Sequence, residues 1–265
     1  MNMKTDRIVT RGDNLNERNR EYRQARLQSP VFLNSVPKCG SHLLRNIVRM
    51  FVPVEQQYHK AFIQIPVLQQ HLAAFSSQNP MASWGHLLFS DESAVALHGV
   101  KQTVLVRDPY DWVLARARFF LSDTFRGSLE HLKSGKVSME EVLNMMIFGI
   151  YHKTPTMNEV FKFNAVAWVG TQARILKMEE LVYVVRNLDT DDAERYFTDL
   201  LGFLSINMPA DWRERVRVGS DRKQSGTARE NLAGSKHDVP DELPEAQKQL
   251  VELQLPGVRE FLGYS

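Results

Sequence analysis

Between Ser29 and Arg45 the chain reads SPVFLNSVPKCGSHLLR, and no other stretch constrains its fold as tightly. The apolar, β-rich run Val31, Phe32, Leu33 feeds a short turn, Pro37-Lys38-Cys39-Gly40. Ser41 and His42 then open a segment that carries Leu43, Leu44, Ile47, Val48 and Phe51 at helical spacing. A strand that runs through a glycine-bearing turn into a helix is a cradle for an anion. Amide N–H groups at the helix N-terminus point outward at the positive end of its dipole, Gly40 allows close approach, and Lys38 adds a full charge. A loop of the ATP-binding kind needs the spacing G-x-x-x-x-G-K-[ST]. This one has a single glycine, and its lysine comes first, so it holds its anion in another way.

The rest of the composition narrows the class. At 265 residues the chain accommodates one large α/β domain, favoured here over two small ones. A net charge of +2 gives no argument for nucleic acid or a membrane as partner. With one cysteine there is no internal disulfide and no four-cysteine zinc site. That cysteine, Cys39, lies inside the anion loop, where oxidation would block the site, so a reducing compartment is expected. No apolar run reaches the roughly eighteen residues of a membrane span, and the N-terminus has no apolar signal-peptide core. The expectation is a cytoplasmic protein.

Residues 1–28 are polar, with arginines at 7, 11, 18, 20, 23 and 26 and no aliphatic periodicity, and are expected to be a mobile or loosely helical arm. Residues 29–265 form the main domain, in which strands and helices alternate. After the cradle come a helical stretch around 62–75, a short segment at 83–88 and a helix near 91–97. A strong strand, Gln102–Val106, leads to a helix over 111–121, capped by Asp111. Helices near 138–150 and 155–169, a strand at 173–176, helices near 179–187 and 191–201, a charged glycine-bearing stretch at 219–238 and a last helix near 241–253 follow. Alternating βα units imply a single α/β domain, with a mainly parallel sheet of about five strands flanked by helices.

A second motif, Arg107-Asp108-Pro109-Tyr110-Asp111, closes the strong strand. Ligands of open α/β sheets collect at strand carboxyl ends, and an arginine there offers a planar, permanently charged fork for phosphate. Together the PKCGS loop and the RDPYD segment resemble the P-K-x-G-[ST]-x-[WL] and R-[ND]-P-x-D segments of sulfotransferases that use 3′-phosphoadenosine-5′-phosphosulfate (PAPS). The resemblance spans residues of about 30–262. It implies that Lys38, Cys39, Gly40, Ser41, His42 and Leu43 surround the 5′-phosphosulfate and that Arg107 holds the 3′-phosphate. It also implies a histidine base about twenty residues before that arginine, a position met by His86 in Trp84-Gly85-His86-Leu87. Histidine suits the role because it exchanges a proton near neutral pH.

Two further segments carry the likeness. Ser220–Leu232 resembles the late R-K-G-x-x-G-x-W-[KR] loop that covers the nucleotide, which makes Arg222, Lys223 and Arg229 phosphate contacts. Met178-Glu179-Glu180-Leu181 resembles Y-E-[DE]-L, with a methionine for the aromatic. The chain also departs from the family: Ala115 stands where a serine usually meets the 3′-phosphate, with Arg118 one turn on as a substitute. Trp84 replaces a lysine, and Leu43 replaces the tryptophan that stacks on adenine.

What the resemblance implies is sulfuryl transfer from PAPS to a hydroxyl or amine of a small organic acceptor, with release of 3′,5′-phosphoadenosine and no metal. Lys38 and His86 are the catalytic pair. The acceptor pocket is expected from segments 54–84 and 122–160, whose aromatics favour a part-apolar molecule; a homodimer is compatible. Glu55, His59 and Glu92 stand behind His86 as candidate bases. The rival readings are a nucleotide or small-molecule kinase of similar architecture and a degraded paralogue that only binds nucleotide.

Overall fold

Strands covered on both faces are built mainly from apolar residues, and Val31–Ser35 and Lys101–Val106, buried except at Lys101, become such strands in the computed structural model, which describes residues 7–226, 232 and 234–265. The strands in chain order are β1 (Arg7–Ile8), β2 (Val31–Ser35), β3 (Ala82–Gly85), β4 (Lys101–Val106), β5 (Phe125–Arg126) and β6 (Arg174–Lys177). The described residues gather into two compact units, Gly12–Val106 with Phe163–Ser225, and the segments up to Arg11, Arg107–Lys162 and Gly226–Ser265.

The first unit holds a parallel sheet in the order β3-β2-β4-β6. Leu33 stands opposite Trp84 on one side and Thr103 on the other, and Val106 opposite Lys177. The mainly parallel α/β sheet expected from the sequence is thus present, with four described strands against about five. The chain leaves β2 for β3 on one side, then crosses to β4 on the other. The carboxyl ends of β2 and β4 are therefore the switch point at which such sheets bind ligands.

The helix Ser41–Arg49 packs against the sheet through Leu44, Ile47 and Val48. Against it lies the helix Trp212–Ser220, at residues where the sequence reading expects no helix. Its buried positions Trp212, Arg215, Val216 and Gly219 follow an i, i+3, i+4, i+7 stripe. A Cβ at Gly219 would stand 2.7 Å from the Asn46 carbonyl oxygen and the Ile47 Cα, so only glycine permits the approach. The segment expected to be a mobile or loosely helical arm carries the short helix Leu15–Asn19 and is fastened from Gly12 onward. Leu15 and Leu27 are buried, and Asn19 Nδ2 donates to the Arg49 and Val52 carbonyls at 2.6 and 3.0 Å. The Arg49 carbonyl ends the Ser41–Arg49 helix and has no intrahelical donor, and Gln57 Nε2 shares both carbonyls at 3.0 and 2.9 Å. The stretch around 62–75 is a 3₁₀ helix, Ile65–Phe75, with non-helical angles at His71.

The second unit is built on the helix Pro109–Leu121. Asp108, not Asp111, caps it, accepting from the Tyr110 N–H at 2.9 Å. Pro109 occupies the first turn, so the residue before it becomes the cap and Asp111 falls within the helix. Trp112 and Phe161 meet edge to face at 5.3 Å. Arg116, buried beside Trp112, donates to the carbonyls of Met146 and Pro155 at 2.8 and 2.9 Å. The two-residue strands β1 and β5 pair antiparallel. No helix of the described residues is long and apolar enough to cross a membrane.

Candidate functional site

The turn from β2 into the Ser41–Arg49 helix is drawn tight by two left-handed residues, Lys38 at φ 68° and Gly40 at φ 86°. Left-handed geometry is unfavourable for a side-chain-bearing residue, so a lysine held there marks a loop shaped by more than local preference. Successive turns of this kind aim amide N–H groups into one concavity, an anion nest at a helix N-terminus. The Cys39 N–H donates to the Val36 carbonyl at 3.2 Å, and its side chain is fully buried. Cys39 therefore contributes backbone shape and keeps its thiol out of the cradle. A Cβ on Gly40 would sit 2.3 Å from Met178 Sδ, so the start of the Met178–Arg186 helix walls the loop.

His86 follows directly on β3. Its Nδ1 lies 2.8 Å from the Ser35 carbonyl and 3.1 Å from the Ser35 hydroxyl. A carbonyl only accepts, so Nδ1 carries the proton, and Nε2 is left with its lone pair. Burial pushes the imidazole pKa down to about 4, helped by the charge of Lys38 and opposed by the Ser35 bond. The ring is neutral at neutral pH and able to accept a proton. His42 is likewise lowered to about 4, by burial first and then by Arg45 and Lys38.

The peptide that carries His86 is held by an amide cluster that the sequence reading passes over. Asn34, fully buried in β2, accepts from the Leu87 and Ser35 N–H groups at 2.8 and 3.0 Å, and its Nδ2 donates to the Leu87 carbonyl at 2.9 Å. One side-chain amide thus pairs both main-chain groups of Leu87, just past the last β2–β3 pair, Asn34 with Gly85. Asn164 adds a donor to the Ser35 and Leu87 carbonyls at 3.2 and 3.3 Å. A buried asparagine inside an otherwise apolar strand is the signal that could have revealed it.

An aromatic wall lines the same side of β3. Trp84 meets Phe62 at 4.7 Å and His42 at 4.9 Å, and Phe62 meets His86 at 4.8 Å. Leu43 is half-buried in the first turn of its helix. Arg222 and Lys223 are exposed in the turn Arg222–Gln224, whose Gln224 carbonyl accepts from Asn46 Nδ2 at 3.0 Å, while Arg229 lies outside the described residues. Glu92 accepts from Gln69, and His59 and Glu55 are exposed.

In the other unit, Arg107 continues β4 by one residue. The neighbouring Asp108 is engaged by Arg259 at 2.8–3.3 Å as well as by its cap bond. Ala115 is half-buried in its helix. Arg118, expected to stand in for the missing serine, instead donates to the Pro240 carbonyl at 2.8 Å and pairs with Asp241 at 3.6 Å. The described residues contain no cluster of three or more His, Cys, Asp or Glu side chains suited to a metal ion.

No protein-family model and no curated protein matches the chain. Solved structures do. Mouse sulfotransferase SULT7A1, crystallised with PAP, is 14% identical over 94% of this chain and 90% of its own, with a TM-score of 0.55. Retinol dehydratase, in complex with androsterone and inactive cofactor PAP, is 15% identical over 90% of this chain and 82% of its own, with a TM-score of 0.50. At such identities the likeness shows the fold alone, the α/β architecture with a parallel sheet that these two structures share.

Proposed function

We propose that the chain is a PAPS-dependent sulfotransferase that moves a sulfuryl group to a hydroxyl or amine of a small, part-apolar acceptor and releases 3′,5′-phosphoadenosine. The observation that carries this reading is the pairing, at the carboxyl ends of adjacent strands, of the Lys38–Gly40 nest with a neutral His86 whose Nδ1 is tied to Ser35. A kinase would need a Ser or Thr directly after the lysine, where Cys39 stands with its side chain buried.

The residues fit the donor. Gly40 takes the left-handed turn and leaves room for the Met178 side chain against the loop, and Lys38 brings a cation to the same turn. PAPS supplies the activated sulfuryl group; the protein binds, orients and takes up charge. By analogy with phosphoryl transfer, most of the rate comes from positioning and electrostatics. Lys38, with the loop amides from Gly40 to His42 and the helix dipole, meets the charge that grows on the bridging oxygen as the S–O bond breaks. His86 Nε2 accepts the proton that the acceptor hydroxyl loses as its oxygen bonds to sulfur. Arg107 anchors the 3′-phosphate, with Arg222, Lys223 and Arg229 as covering cations. Leu43 and Met178 take the place of aromatic packing at adenine, and Ala115 leaves the 3′-phosphate one hydroxyl short.

Thermal shift with 3′,5′-phosphoadenosine, ATP and NAD tests the nucleotide. Stabilisation by the first alone is expected, and stabilisation by ATP·Mg²⁺ alone would turn the reading toward a kinase. With PAPS and a phenol panel, Lys38→Ala should nearly abolish turnover; activity within a few-fold of wild type would make the loop structural only.

A further inference from the structure

Around Arg45 the protein holds more positive charge than its carboxylates balance. Arg45 follows His42 by one turn of the same helix, and its guanidinium lies over Trp84, 4.5 Å from the ring centre. The nearest acid, Asp13, is committed to Arg49, with contacts of 2.9 and 3.1 Å. Among the described residues Arg45 makes no ion pair. It stays a cation all the same, because burial and Arg49 lower its pKa only to about 10. Its charge, after burial, is part of what keeps His42 neutral and lowers His59.

Beside the guanidinium is a cavity of about 20 Å³ whose wall is mainly apolar, with Leu33, Val48 and Ala82 among its lining, and whose polar groups include Arg45, Arg49 and Gln57. Holding one water takes about 10–15 Å³, so this space admits the tip of a small oxyanion and excludes a ring. From Trp84 the aromatic wall continues through Phe62 to His86. The rings of that row meet edge to face, Trp84 with Phe62 at 71° and Phe62 with His86 at 82°, so an acceptor threaded along it would have one end at the base and the other toward Arg45. The guanidinium has the Trp84 face beneath it and no carboxylate of its own among the described residues, and a carboxylate is the group its fork matches best.

We propose that Arg45 and its cavity form a carboxylate subsite of the acceptor pocket, so that the acceptor is a hydroxylated aromatic acid and not a neutral alcohol. This inference rests on the sulfotransferase reading for the role of His86, but its binding test does not. Calorimetric titration of 4-hydroxybenzoate and of its methyl ester, with and without 3′,5′-phosphoadenosine, reads the subsite directly. Wild type should prefer the acid by about ten- to hundredfold, the usual worth of a charge-assisted contact. Arg45→Gln should erase that preference, and Arg45→Lys, which keeps the charge but loses the fork, should retain part of it.

Equal affinity of wild type for acid and ester overturns the proposal, as does an undiminished preference in Arg45→Gln. Should Arg45→Gln not fold, as judged by circular dichroism, the wild-type ratio and its reduction in Arg45→Lys decide the matter. Sodium sulfate serves as a free-ion probe: Arg45-dependent sulfate binding with no preference for acid over ester would mean an ion site outside the acceptor pocket and overturns the proposal. Sulfuryl transfer is assayed separately with PAPS. A panel with no turnover would sink the transferase reading and leave the acid-to-ester ratio standing.

Discussion

Replacing Asn34 with alanine tests whether the amide cluster holds the peptide of His86. The change removes the acceptor of the Leu87 and Ser35 N–H groups and one donor to the Leu87 carbonyl. Asn164 still reaches that carbonyl at 3.3 Å, and Ser35 remains in the sheet ladder, so the Leu87 N–H is the group that loses its partner. Leu87 and Ser35 are buried, and water does not readily replace the amide. A stranded buried donor costs about 1–3 kcal/mol. For a chain of this size 1 kcal/mol moves Tm by about 2–4 °C, so a drop of about 6 °C is expected by differential scanning calorimetry. Asn158→Ala, which removes an exposed bond to the Gln254 carbonyl, is the control and should shift Tm by no more than about 2 °C. Turnover measured well below Tm should also fall, because slack at Leu87 loosens the Nδ1–Ser35 bond that fixes the ring. An Asn34→Ala protein with Tm and turnover like those of the control would refute the argument.

His86→Asn should lower kcat by about 10²–10⁴-fold while leaving 3′,5′-phosphoadenosine affinity near wild type; lost nucleotide binding would instead mark His86 as a core residue. His42 and His86 have folded-state pKa values depressed from 6.5 to about 4, so an unfolded chain takes up protons that the folded one refuses. Stability should be fully present above pH 6.5 and decline as pH falls toward 4, by up to about 3 kcal/mol per ring, read from urea midpoints; no such decline in wild type, or the same decline in a His42→Gln/His86→Gln double variant, contradicts the assignment. Arg107→Ala should cost about one to two decades of affinity for 3′,5′-phosphoadenosine and none for the analogue lacking the 3′-phosphate. Retained discrimination would pass that role to Arg222, Lys223 or Arg229.

The cradle is legible in the sequence because its cause is local: a buried strand, one glycine, one lysine and an amphipathic helix follow each other without interruption. The parallel sheet follows from the alternation of elements in the same way. What stays hidden depends on residues far apart in the chain. Asn34 reads as a lone polar residue in an apolar run until Leu87 and Asn164 arrive beside it. The fastening of residues 12–28 is invisible because Asn19 bonds carbonyls at Arg49 and Val52, and a sequence pattern does not register backbone partners. The cap of the Pro109–Leu121 helix is misread for a different reason, since two aspartates flank the proline and only one precedes it. The Trp212–Ser220 helix had a signal, the 212, 215, 216, 219 stripe, but its apolar positions include an arginine and a glycine, and so the period is faint.

The central place of β2 in the sheet has a kinetic consequence. Its neighbours β3 and β4 come from later in the chain, the Asn34–Leu87 bonds span 53 residues, and the Asn164–Ser35 bond spans 129. Contacts this distant must close large loops before they contribute anything, which slows folding. On the ribosome, the loop of residues 37–40 leaves the exit tunnel long before the strands that flank it, and Met178, which walls Gly40, follows later still. Nascent chains ended near residue 100, before β4 is made, should expose a β2 that lacks its β4 partner and seek chaperones, while chains ended beyond the Met178–Arg186 helix should resist limited proteolysis across the parallel sheet. The nucleotide cradle is written early in the chain and becomes a cradle only when two-thirds of it has been made.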